Sequence, residues 1–147
     1  MHMIISREVK FSVVEAAAAA GQTLLTTDVV DTQGFESVAF LALTGDVSDT
    51  SVLTMTAYTN DTNDTVSPTQ TVAAVTFTAD ATNADNKALL LDLHRPRERY
   101  VYATLSRGTA NAAVSGIIAI LYNGTERPLE QHASVIASAF YNDPASA

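Results

Sequence analysis

Cysteine is absent from the 147 residues, which removes disulfide frameworks and thiolate metal sites together. Small secreted domains often lean on disulfides, so this chain must be held by its core or by assembly. Charge is scarce too: Asp, Glu, Lys and Arg make up 16% of the chain, with a net charge of -8. A nucleic-acid binder needs basic residues to displace counterions from phosphates, and the acidic balance argues against that class. No stretch reaches the roughly 18 apolar residues of a membrane span, and no membrane partner is expected. Residues 1–11 lack the apolar run of a signal peptide, so synthesis in the cytoplasm is the expectation.

Chemical signatures are missing as well. The histidines, His2, His94 and His132, stand far apart and have no HxH or HxxxH partner. A zinc site needs several converging ligands, so no metal is expected. No GxSxG elbow, P-loop or GxGxxG occurs, so neither catalytic residues nor a cofactor are expected, and the chain reads as a non-enzyme.

What remains is a β-rich chain. Hydrophobic residues make up 47% of the sequence, and its surface must be covered largely by Thr, Ser, Asn and Ala, a composition common in β-rich domains. At this length the prior is a single domain that buries roughly 70% of its unfolded surface. The most conspicuous stretch is residues 34–45, an apolar run of strand length bounded by glycines. Val38, Phe40 and Ala42 fall on one face of such a strand, and Ala39, Leu41 and Leu43 on the other. Apolar character on both faces predicts a central strand, one face in the core and the other covered by a neighbouring segment or subunit.

Further strands are predicted over 22–30, 51–60, 69–78, 87–93, 99–105 and 113–122, from Val/Thr-rich or alternating composition. The strands over 35–44 and 51–60, joined by a turn at 45–50, read as an antiparallel hairpin. Residues 128–140 could form a helix from Leu129 that packs Val135, Ile136 and Phe140, and the alanine-rich 13–20 a short helix or an arm. The expectation is an all-β fold: a single antiparallel β-sandwich or jelly roll of about seven or eight strands over 22–122. Residues 1–21 would be an N-terminal arm or short edge element, and 123–147 a short, possibly helical, C-terminal extension.

Two polar loops, 60–68 and 79–86, carry closely spaced oxygen ligands. The first lacks the glycine and terminal glutamate of an EF-hand loop, and Asx side chains bonding their own backbone are the simpler reading. Tyr100 and Tyr102 could stack on sugar rings, although aromatics at period two more often pack. The one uneven feature is basic. Arg95, Arg97, Arg99 and Arg107 are four of the eight Lys and Arg residues. They read either as a solvated turn with local partners such as Asp92 and Glu98, or as a contact patch for an acidic protein surface.

The run Val29-Val30-Asp31-Thr32-Gln33-Gly34-Phe35-Glu36-Ser37-Val38, followed by a hairpin strand, resembles small structural proteins from the head-gene region of tailed phages. So does Arg99-Tyr100-Val101-Tyr102-Ala103-Thr104-Leu105 with the closing strand 116–121. Over residues 26–122 the chain is similar to jelly-roll capsid cement (decoration) proteins. The resemblance implies a structural virion protein on the outer capsid surface that clamps neighbouring major capsid subunits. It also implies a homodimer or homotrimer, made in the host bacterial cytoplasm. The alternative is a carbohydrate- or receptor-binding β-sandwich module of a phage tail or head fibre.

Overall fold

The computed structural model describes residues 3–68, 70–125 and 129–141. A four-residue helix, α1 (Ile5–Glu8), precedes ten strands among these residues: β1 (Lys10–Glu15), β2 (Ala18–Gly21), β3 (Leu25–Thr26), β4 (Val30–Asp31), β5 (Phe35–Val47), β6 (Val52–Asn60), β7 (Gln70–Thr78), β8 (Ala88–His94), β9 (Tyr100–Gly108) and β10 (Ala112–Gly124). They form two antiparallel sheets. The first runs β1-β10-β5-β8 with β2 also on β10, and the second runs β3-β9-β6-β7 with β4 also on β9.

This order is a folded-over long hairpin. The first half of the chain pairs with the second half in reverse: β1 and β2 with β10, β3 and β4 with β9, β5 with β8, β6 with β7. The doubled ribbon then closes on itself through β10·β5 and β9·β6. That is jelly-roll topology. Counting the broken pairs β1/β2 and β3/β4 as one strand position each gives eight positions.

The core lies between the sheets. Ile117, Ala42 and Leu89 share a cross-strand row, as do Ala119, Phe40 and Leu91, and Leu121, Val38 and Leu93. Leu53, Met55, Ala57, Val101, Ala103 and Leu105 meet them from the second sheet, all nearly or fully buried. The long β10 needs irregularities to follow the curvature, with register shifts between Ala112 and Val114 and between Val114 and Gly116. Gly116 sits at φ +148, where a Cβ would come 3.3 Å from the Glu15 carbonyl oxygen, so glycine suits this bulge.

Four expectations change. The strands 35–44 and 51–60 do not form a hairpin: β5 belongs to the first sheet and β6 to the second. Both are inner strands with two neighbours each, so each finds its partners from later in the chain. The strand also runs through Gly45 to Val47, and the reversal comes at residues 48–51, where Ser51 N donates to the Ser48 carbonyl at 3.1 Å. The strand over 22–30 is broken into β3 and β4. Between them Thr27 takes over the ladder, its N donating to Ala103 O and its Oγ1 accepting from Ala103 N.

The helix from Leu129 does not form; residues 129–141 run irregularly with one turn, and Ile136 stays 98% exposed. Side chains of this segment are spent on β1 instead. Gln131 Oε1 accepts from Phe11 N and Ser134 Oγ from Val13 N, both at 2.8 Å, while Gln131 Nε2 donates to the carbonyls of Ser6 and Val9. The alanine-rich stretch is no helix either. Residues 10–15 and 18–21 pair with β10 as edge strands, because ladder bonds to a preformed sheet outweigh the helix propensity of so short a run.

Candidate interaction surface

Pairing register lays out the outer face of the first sheet. One row crosses all four strand positions as Val13, Ile118, Leu41 and Leu90. A second row is Phe11, Ile120, Ala39 and Asp92, and a third is Gly116, Leu43 and Ala88. Val13 is 46% exposed, Leu43 38% and Leu90 58%. The face is therefore largely apolar across its width; Val13, Leu43 and Leu90 are exposed, Phe11, Leu41, Ile118 and Ile120 half-buried and Ala39 buried. It continues past Phe11 and Ile120 into an apolar cleft of about 440 Å³ that Met3, Ile5 and Val9 also line.

One end of this face is polar. The row Tyr122, Ser37 and His94 holds a small network, with Ser37 Oγ 2.8 Å from His94 Nδ1 and Tyr122 Oη donating to Asp92. Burial, and then the Asp92 carboxylate, raise the Tyr122 phenol above its ordinary range. Beyond that row the chain turns from β8 to β9 over 95–99, which carries three arginines. Arg95 pairs with Glu36 at 3.2 Å, its backbone held at φ +53 while its N donates to Glu36 O. Arg99 makes a two-pronged bond to Asp31, both contacts 2.8 Å, and lies 5.1 Å from the Tyr100 ring centre. The Arg99 hydrogen bond holds the Asp31 carboxyl below the usual carboxylate range. Arg97 is exposed with no ion pair among the described residues.

Arg107 separates from this group. It sits at the far end of β9, points inward and is 4% exposed. Its guanidinium donates to the carbonyls of Ala19 (2.9 Å), Thr23 (3.0 Å) and Ala112 (2.7 Å). It is a strut that ties β2 and the following loop to β10, not part of a contact patch. Sequence spacing grouped it with the others because nothing in a strand pattern distinguishes an inward arginine at the end of a sandwich from a surface one.

The second sheet turns a different face outward. Thr76, Thr54 and Ser106 form one row, and Ala74, Thr56, Thr104 and Thr26 the next. Tyr58 and Tyr102 stack there with ring centres 5.1 Å apart and planes at 18°. Tyr102 is 4% exposed and donates to Thr65 O of the loop over 61–68, so its ring is not free to stack on a sugar. That loop is bonded to itself. Asn60, buried, donates to Asp64 and to the Val66 carbonyl, and Asp64 accepts from Val66 N. The oxygens that could have suited calcium are used as turn-forming groups. Among the described residues no three His, Asp or Glu side chains gather to hold a metal ion.

No family model and no curated protein matches the chain. Some solved structures superpose on it in part. A pilus protein of Bacillus endospore appendages superposes with a TM-score of 0.45 and 12% identity, over 79% of this chain and 88% of that one. The K1 cleaved adhesin domain of Lys-gingipain from Porphyromonas gingivalis W83 gives 0.47 and 17%, over 78% and 73%. The T13 particle protein of infectious bursal disease virus gives 0.48 and 14%, over 82% of this chain and a third (33%) of that one. With TM-scores below 0.5, these likenesses carry nothing about function.

Proposed function

We propose that this chain is a non-enzymatic structural protein of a phage virion, which binds the outer capsid surface and cements neighbouring major capsid subunits. The observation that carries the reading is the unlikeness of the two outer faces. One is a row of Val, Ile and Leu that spans a whole sheet, edged by a polar network and the arginines at 95–99; the other is mainly threonine and serine, with Ala74 and the stacked Tyr58 and Tyr102. An apolar centre with a polar, arginine-bearing rim is the anatomy of a protein interface. Repetition over a shell would supply avidity, so a modest area per copy suffices. The sequence resemblance to cement proteins points the same way.

The test is co-sedimentation of the purified chain with shells of the matching major capsid protein, with the shell melting temperature read in parallel. Saturable binding and a higher melting temperature are expected. A chain that stays in the supernatant at every concentration, with shell melting unchanged, ends the reading.

A further inference from the structure

The sandwich has four sheet edges, and three carry a device against pairing with another chain. The edge at β1 is covered by residues 131–134, which accept the outward N–H groups of Phe11 and Val13. The edge at β3 and β4 is cut into two-residue pieces and tied across to the first sheet by Asp28 N donating to Val14 O. The edge at β8 carries Asp92 and runs into Arg95 and Pro96. The edge at β7 has none of these. It is nine residues long, Gln-Thr-Val-Ala-Ala-Val-Thr-Phe-Thr, and no charge lies between Asp64 and Asp80. Its one irregularity, at Val72, leaves 73–78 in unbroken register with β6.

The direction of its free groups follows from its end. Ala79 N donates to Ser51 O and Ala79 O accepts from Thr50 N, both on the β6 side. Alternation then turns Phe77, Val75 and Ala73 toward β6, and the N–H and C=O of Thr78, Thr76 and Ala74 outward. No hydrogen bond reaches those outward groups among the described residues.

We infer that β7 is the seam between two copies of this chain, joined antiparallel about a two-fold axis at Thr76. In that register Thr76 faces its own mate and Thr78 faces Ala74 of the other copy, each pair exchanging N–H and C=O bonds. A second copy fits better than a foreign strand because the edge is its own complement. An acidic chain, net -8, must meet itself where it has no charge, and β7 is such a place. Phe77, 40% exposed beside the cleft with Leu53 and Leu89, lies opposite Val75 of the mate. The two-fold thus closes the open side of both sandwiches with apolar side chains. This inference does not rest on the capsid reading, since the dimer is measured with no shell present.

The experiment is sedimentation equilibrium of the full chain, together with hydrogen exchange of individual amides. The wild type is expected to dimerise, with the Ala74, Thr76 and Thr78 amides slowing as the dimer forms. T76K places like charges face to face on the axis and should weaken the dimer by roughly tenfold or more, as should T76E. An equal mixture of T76K and T76E should recover it, which loss of folding could not produce. A74K, off the axis, is the second variant and should weaken the dimer less. A wild type that stays monomeric, a dimer that survives both Thr76 charges, or a mixture that fails to recover overturns the inference. So do amides that are protected only when shells are added, because the partner strand would then be the capsid's.

Discussion

Phe40 and Leu41 are neighbours on one strand, yet they belong to different parts of the molecule. Phe40 faces the second sheet and is fully buried, whereas Leu41 faces out among Ile118, Leu43 and Leu90. The corresponding outward positions of the second sheet are Thr54, Thr56, Thr104 and Ser106. Each sheet buries one face against the other, so the sandwich alone does not require the first sheet's second face to be apolar. On the proposed reading, a face that folding does not need, and that water does not favour, is explained by what it meets.

That contrast can be broken from the inside first. Phe40→Ala should cost about 3–5 kcal/mol and leave most of the chain unfolded at moderate temperature, read by chemical denaturation. Arg107→Ala should follow at roughly 2–4 kcal/mol, since the buried Ala112 carbonyl loses its donor and the ties to the Ala19 and Thr23 carbonyls go with it; Arg107→Lys should recover only part, because one ammonium cannot span the same fork.

On the outer faces the expected pattern reverses. Leu90→Asp with Leu43→Asp should leave the melting temperature within a few degrees but weaken shell binding by about tenfold or more. Thr54→Asp with Thr104→Asp on the opposite sheet should leave binding unchanged. Equal losses from the two pairs would erase the distinction between the faces. Tyr122→Phe, which removes one hydrogen bond at the polar end, should cost about 0.5–1.5 kcal/mol by the same denaturation measurement.

The smallest effect is electrostatic. The folded-state pKa of Asp31 is lowered, mainly by the hydrogen bond from Arg99. Its contribution is therefore present above the ordinary carboxylate range and lost as pH falls through the depressed value. Asp31→Asn should slightly flatten the acid side of the stability profile, and above neutrality it should lower stability by a small amount that no longer varies with pH. The pair is exposed, so the difference is small.

Much of the fold was legible because strands announce themselves locally. The alternation of 51–60 and 99–105 and the two-sided apolar run of 34–45 became β6, β9 and β5 near the expected positions. The inward set Val38, Phe40 and Ala42 was also readable, since period two needs no partner to be seen. Pairing was not readable: β5 lies beside β10, far along the chain, and no local pattern names a distant neighbour. The arginines show the same limit. Arg95, Arg97 and Arg99 share one turn because they are adjacent in sequence, but whether Arg107 stood in water or among carbonyls depended on which way β9 faced.

Composition and periodicity thus decided that this chain would be an all-β sandwich with no thiol chemistry, because those properties reside in single residues and their near neighbours. Which apolar face stayed outside, which edge the chain's own 131–134 segment covered, and which edge it left open at β7 were decided only when distant segments met. An outward face and an unpaired edge are relations between strands, and no strand carries them alone.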